Sequence, residues 1–266
     1  MPGENMSDYK TLEVEIQGPV GTVRMNRPAA ANGIDLVMAS ELAQVAATLD
    51  AEGSIRAVIL TGTGKFFSAG GDLKQMGALE PGAGLRVKRM ADDVHRAISI
   101  FSRMKAPLVV AVNGVAAGGG FSLALCGDIV LAAQSATFTM AYSKAGLSPD
   151  GSSTYFLPRL IGLRKTQDLM FTNRKLSSQQ ALEWGLVHEV IPDAELAVTA
   201  FDLASRLASG ASGSHKAMKK LLLATWGNGL ETQMELEGRY IASMAGSEEG
   251  REGITAFIEK RLPKFR

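Results

Sequence analysis

Asp150 is the only acidic residue between Asp128 and Asp168, in the run Leu147-Ser148-Pro149-Asp150-Gly151-Ser152-Ser153-Thr154. An isolated carboxylate among small, uncharged residues has two readings. Pro-Asp-Gly is a favourable turn, with the aspartate capping the helix that follows. The same group, buried against Leu147, Phe156 and an apolar ligand, would have its pKa raised toward the range where it takes and returns a proton near neutral pH. Two further segments carry a different chemistry. Phe66-Phe67-Ser68-Ala69-Gly70-Gly71-Asp72-Leu73 and Val115-Ala116-Ala117-Gly118-Gly119-Gly120-Phe121 each follow a buried strand, place Ala-Gly-Gly in a loop and then enter an expected helix. Loops without side chains leave backbone N–H groups open, and at a helix start these suit an oxygen carrying negative charge. Two such loops in one domain suggest a paired oxyanion site. Gly62-Thr63-Gly64-Lys65 lacks the spacing and the following Ser or Thr of a phosphate loop. His95 sits one step off the apolar stripe of a helix, and His188 and His215 are expected on the surface. No His, Cys and carboxylate grouping has metal-ligand spacing, so no metal is expected.

The elements that must hold these groups follow from periodicity. Leu12–Ile16 alternates and Gly21–Met25 resumes after Gly18-Pro19, the pattern of a hairpin. Helical spacing runs over Ile34–Leu49 and over Leu85–Met104, where Val87, Met90, Ala91, Val94, Ile98, Phe101 and Met104 form one stripe. Ala57–Thr61, Leu108–Val112 and Asp128–Ala132 are short apolar runs that predict buried strands, with a helix beginning in Phe121–Cys126. After Thr154 the pattern is mainly helical, through Lys165–Phe171, Ser178–Gly185, Ala194–Ala208, Ser214–Thr225 and Leu230–Ala245. Strands alternating with helices and then helices alone predict an α/β core with a helical C-terminal region.

With 266 residues, 46% of them hydrophobic, the chain can bury one large core. A net charge of +1 gives no general affinity for polyanions; the basic clusters at Arg86–Arg89 and His215–Lys220 read as solvated helix faces. The single Cys126 excludes an internal disulfide, and the polar N-terminus Met1–Lys10 has no signal-peptide pattern, so a cytoplasmic protein is expected. Ala106–Gly127 has no charge over a span long enough to cross a bilayer. Pro107, Asn113 and five glycines favour a strand, a turn and a helix there instead, so no membrane association is expected.

Taken together, the motifs resemble the crotonase (enoyl-CoA hydratase/isomerase) superfamily, from about Tyr9 to Arg266. The resemblance is carried by Met25-Asn26-Arg27-Pro28, Ala31-Asn32-Gly33-Ile34-Asp35, both glycine loops, Cys126-Gly127-Asp128-Ile129, Leu157-Pro158-Arg159-Leu160-Ile161-Gly162, Ala181-Leu182-Glu183-Trp184-Gly185-Leu186-Val187 and Phe257-Ile258-Glu259-Lys260-Arg261. It implies an α/β spiral of ββα units in residues 1–200 and a helical trimerisation region in 201–266, assembled as trimers or hexamers. It implies an acyl-CoA thioester substrate, with no cofactor beyond the coenzyme A carried by that substrate, and places in fatty acid or aromatic compound metabolism. By the same pattern Ala69 and Gly119 N–H groups hold the thioester oxygen. Ala69, Gly70, Gly71 and Asp72 line the coenzyme A site, which Phe257 and Lys260 reach from this or a neighbouring subunit.

The two glutamates of hydratases in this superfamily fall at Ser122 and Tyr142, so both carboxylates are missing and these residues are expected to line the acyl pocket. Asp150 then matches the acid of ring-opening phenylacetate-pathway isomerases and of Δ3,Δ2-enoyl-CoA isomerases. The implied reaction is double-bond migration through an oxyanion-stabilised enolate, with Asp150 moving the proton. Two alternatives stand beside it. In 4-chlorobenzoyl-CoA dehalogenases, a histidine at the spacing of His95 activates water and an aspartate at the position of Asp150 is the nucleophile, which implies dehalogenation or hydrolysis. The other is a catalytically weak homologue that binds RNA or acts as a scaffold, which the near-zero charge disfavours.

Overall fold

The alternation at the N-terminus does form a hairpin, and it opens the larger of two sheets. In a computed structural model describing residues 4–5, 9–76 and 81–265, β1 (Glu4–Asn5) pairs with β2 (Leu12–Gln17). β2 runs antiparallel to β3 (Val20–Met25), with Leu12 opposite Met25 and Gln17 opposite Val20. The remaining strands of this sheet are β4 (Ala57–Gly62), β6 (Leu108–Val112), β8 (Ile129–Ala133) and β11 (Glu189–Ile191), in the order β1-β2-β3-β4-β6-β8-β11. From β3 onward all pairings are parallel. Parallel strands are covered on both faces, which is why these runs are continuously apolar rather than alternating.

A second sheet is built from very short strands, in the order β10-β9-β7-β5. These are β5 (Phe66–Ser68), β7 (Val115–Ala117), β9 (Thr137–Thr139) and β10 (Leu176–Ser177). The pairs β4/β5, β6/β7 and β8/β9 each send one strand to each sheet. Helices α2 (Ala83–Arg103), α3 (Gly119–Ala124) and α4 (Ser153–Thr172) follow them. This is the expected spiral of ββα units. Phe67, Phe101, Phe121 and Phe138 are fully buried between the layers, and the Phe121 and Phe138 rings lie 5.4 Å apart. Each such side chain contributes about 1.5–3 kcal/mol by leaving water.

Two helices fix the walls of the later site. Helix α1 (Leu36–Ala51) starts where Asp35 accepts the Met38 N–H at 2.8 Å, and α2 packs against it. Met90, Val94, Ile98 and Phe101 of the expected α2 stripe are buried. Helix α4 contains Pro158 and breaks at Gly162, whose φ of 76° and ψ of 160° are not helical. The chain continues through α5 (Ser178–Glu183), α6 (Leu196–Ala208), α7 (Ser212–Ala224), α8 (Leu230–Ala245) and α9 (Glu248–Ile258).

Several expectations need correction. The first glycine loop does not enter a helix: Gln75 N–H donates to the Asp72 carboxylate and Met76 N–H to the Asp72 carbonyl, which closes a turn over residues 72–76. β11 falls between the expected helices Ser178–Gly185 and Ala194–Ala208, in a region read as mainly helical. The expected boundary at residue 200 falls inside α6, whose Leu196, Ala200, Ala204 and Ala208 are buried and which packs on β3, β4, β6 and β8. Lys219, read as part of a solvated basic face, is 6% exposed and pairs with Asp128 at 2.6 Å. His215 is half-buried, with its Nδ1 shielded and without a partner among the described residues. The uncharged span Ala106–Gly127 becomes β6, β7 and α3, and among the described residues no helix is long and apolar enough to cross a membrane.

Candidate active site

β5 and β7 are parallel neighbours, so the glycine loops that leave them emerge side by side. A Cβ on Gly70 would fall 2.7 Å from the Ala117 carbonyl oxygen and 2.9 Å from the Gly119 nitrogen. Only glycine allows that approach, and Gly70 also has a φ of +88°. Gly118, with φ 50° and ψ −125°, turns the second loop into α3.

Backbone N–H groups along the first loop are nearly all committed. Ala69 N–H donates to Ala31 O at 3.0 Å, Gly70 N–H to Ser68 Oγ at 3.1 Å and Asp72 N–H to Ile34 O at 2.8 Å. Gly71 N–H, between them, has no acceptor among the described residues. The reason is geometric. Gly71 is the central residue of a parallel bridge to Ile34, whose bonds run to its neighbours Gly70 and Asp72, so its own N–H faces the other way. Gly119 N–H, at the first position of α3, likewise has no acceptor among the described residues. Ala69 N–H, expected to hold the thioester oxygen, is therefore spent on Ala31 O, and the open N–H groups of the two loops are those of Gly71 and Gly119.

Both residues line a cavity of about 400 Å³, walled by Ile34, Met76, Met90, Val94 and Leu147 and also touched by Ala69, Tyr142 and Asp150. Asp150 reaches it from a tight turn. Ser153 N–H and Oγ donate to the Asp150 carbonyl at 3.2 and 2.9 Å. The two central residues have positive φ, 59° at Gly151 and 65° at Ser152, as in a type I′ turn. The Asp150 carboxylate caps nothing at the start of α4, where Ser152 is the cap residue. Instead Oδ1 accepts the Tyr142 hydroxyl at 2.6 Å. Tyr142 Oη lies 2.9 Å from Ser122 Oγ, and Ser122 is fully buried. Burial, and then the adjacent Asp150 charge, push ionisation of the Tyr142 hydroxyl well above its usual range, so Tyr142 remains a donor.

His95 approaches Asp150 from behind. Its Nε2 lies 3.9 Å from Asp150 Oδ2 and accepts the Gly151 N–H at 3.1 Å. That places the proton of a neutral ring on Nδ1. His95 lines a separate cavity with Ser102, Tyr155 and Phe156, so Phe156 does not wall the Asp150 site.

Other expected residues lie outside the cavity. The Asp72 carboxylate pairs with Arg27 at 3.1 Å, and Arg27 also holds Asp35 at 3.2 Å and the Gly33 carbonyl. Gly70 is turned toward the second loop. Phe257, 86% exposed near the end of α9, and Lys260 beyond it are not on the cavity wall within this chain. Sequence reasoning missed the supports: Asn32 and Ser68. Asn32 is buried with φ +51° and donates to Thr63 O and Phe66 O, while Ser68 Oγ donates to Asn32 O. The Asn32-Gly33 pair, a frequent left-handed turn dipeptide, was the available signal.

Two aimed N–H groups beside one carboxylate can hold a developing oxyanion while a proton is moved next to it. Comparison with known proteins places the chain in a family. The family model described as enoyl-CoA hydratase/isomerase matches residues 15–266. The 1,2-epoxyphenylacetyl-CoA isomerase of Escherichia coli (strain K12) is 38% identical over 254 residues, 94% of this chain and 96% of that protein. A 4-chlorobenzoyl coenzyme A dehalogenase of an Arthrobacter species is 30% identical, covering 94% of this chain and 91% of its own. The crystal structure of an enoyl-CoA hydratase from Bacillus anthracis superposes with a TM-score of 0.90 at 30% identity, over 96% of this chain and 99% of that one. A match over nearly the whole length, on a crotonase-fold spiral with paired glycine loops, leaves one conclusion: the chain belongs to the enoyl-CoA hydratase/isomerase family.

Proposed function

We propose that the protein isomerises the double bond of an enoyl-CoA thioester, with Asp150 as the acid/base and Gly71 and Gly119 N–H groups holding the thioester oxygen. One observation carries this reading. Asp150 is the only carboxylate among the described residues lining the cavity that contains both unspent N–H groups. Asp150 takes the proton from the carbon between the thioester and a 3,4 double bond. The electron pair moves onto the thioester oxygen as a dienolate, and Asp150 returns the proton at the far end of the conjugated system. Each aimed donor stabilises that oxyanion by roughly 3–4 kcal/mol in a site shielded from water. Water addition in this fold uses carboxylates where this chain has Ser122 and Tyr142, and neither side chain is a base near neutral pH. Coenzyme A arrives as part of the substrate, so the reaction needs no further cofactor.

Assembly into a homo-oligomer belongs to the same reading. Leu230, Met234 and Ile241 of α8 and Ile254, Phe257 and Ile258 of α9 are large, apolar and exposed, a composition that favours association. Phe257 and Lys260 would then reach a neighbouring subunit's coenzyme A.

The test is a panel of 3-enoyl-CoA thioesters, aliphatic and aryl, followed by the absorbance of the conjugated 2-enoyl product. Conversion of 3-enoyl to 2-enoyl substrate faster than hydration of the 2-enoyl product is expected. Hydration or thioester hydrolysis as the dominant reaction would overturn the isomerase reading.

A further inference from the structure

Behind Asp150 runs a chain of hydroxyl groups that ends on the peptide holding the oxyanion. Tyr142 Oη is 2.6 Å from Asp150 Oδ1 and 2.9 Å from Ser122 Oγ. Ser122 Oγ has a second acceptor, Gly118 O, at 3.3 Å. The direction of the chain is set by what each group can do. An ionised carboxylate only accepts, so Tyr142 donates to it. A tyrosine has one O–H, so at Ser122 it accepts and Ser122 donates. Once Asp150 carries the substrate's proton on Oδ1, it can donate to Tyr142. Tyr142 is then free to turn toward Ser122, and Ser122 toward Gly118 O. Every hydroxyl keeps its own hydrogen, and only rotations occur.

Gly118 O and Gly119 N–H belong to one peptide group. A hydrogen bond accepted at that carbonyl polarises the amide and strengthens its N–H as a donor. This happens in the state where the proton is on Asp150 and the charge is on the thioester oxygen. The Tyr142 hydroxyl is also close to the oxyanion loop itself, 3.8 Å from where a Gly119 Cβ would stand.

We propose that Tyr142 and Ser122 are positioning residues that couple the protonation state of Asp150 to the oxyanion-holding peptide Gly118–Gly119. The proposal rests on Asp150 being the acid/base. It adds a function to Tyr142 on the cavity wall and to Ser122 buried behind it, the two positions where the expected carboxylates are missing. Among the described residues, the other charged or titratable groups facing this site are Tyr142 itself, and His95 and Lys88 from α2. His95→Gln is therefore included as a control for histidine titration.

The experiment measures kcat, KM and their pH profiles on a 3-enoyl-CoA thioester for Tyr142→Phe, Ser122→Ala, the double variant, Asp150→Asn and the control His95→Gln. Tyr142→Phe removes a hydrogen bond to the charged carboxylate. It should lower kcat about tenfold, leave KM nearly unchanged and move the acid limb of the kcat profile to higher pH. Ser122→Ala should move it the same way by less. The double variant should be no worse than Tyr142→Phe, because both act through one chain. A Tyr142→Phe profile matching wild type, or losses that add independently in the double variant, overturns the coupling. Activity retained in Asp150→Asn overturns the assignment of Asp150 instead, so the two failures are distinguishable.

Discussion

The Lys219 ammonium lies 2.6 Å from Asp128 and donates to the backbone oxygens of Phe101 and Ala106 at 2.8 and 3.1 Å. The same Asp128 oxygen accepts the Leu108 N–H at 2.7 Å. One side chain thus ties α7 to the end of α2 and the start of β6. Removing a single partner from a buried pair leaves an uncompensated charge, so Lys219→Met should destabilise the fold by about 3–5 kcal/mol in urea unfolding at fixed protein concentration. Adding Asp128→Asn should recover most of the loss, and a single-variant loss below about 1 kcal/mol would contradict this account. Sequence surroundings hid Lys219, because its neighbours Lys216 and Lys220 are exposed and burial depends on what α7 meets in space. Asp150 was legible for the opposite reason: its isolation among small residues is local. Ala69 was read as an oxyanion donor because nothing local in the sequence shows that its N–H is spent on Ala31 O, thirty-eight residues away.

At the level of elements, the turn from Asp150 to Ser153 sets where the carboxylate points. A Cβ on Gly151 would stand 2.7 Å from Ser122 Cβ, and the residue's φ is +59°. Gly151→Ala therefore combines backbone strain of about 1–3 kcal/mol with a clash that no flexible side-chain end can relieve. It should lower the melting temperature and reduce kcat more than tenfold; a variant with wild-type kinetics would show that the turn does not aim Asp150. The long strands and helices were readable from their periodicity. β5, β7, β9 and β10 were not, since two or three residues carry no period. Helix α9 was hidden by Gly250 and Gly253, although Ser247, which accepts the Gly250 N–H at 3.0 Å, marks its start.

Across the whole molecule, two sheets with shared connections bring loops distant in sequence to one cavity, and α2 and the Asp150 turn close its sides. The fold was legible because its motifs recur in order along the chain. Its chemistry was less so, because relatives with the same spiral carry isomerase, dehalogenase and hydratase names and function lies in the few groups placed on it. The central claim is that Asp150 moves a proton while Gly71 and Gly119 hold the resulting enolate oxygen. Hydrogen exchange at the α-carbon of an acyl-CoA in D₂O, followed by mass, reads that step without depending on the overall reaction. The wild-type protein should incorporate deuterium, and Asp150→Asn should be slower by about two to four orders of magnitude. Exchange by Asp150→Asn at the wild-type rate, or no exchange by the wild type, would contradict the account.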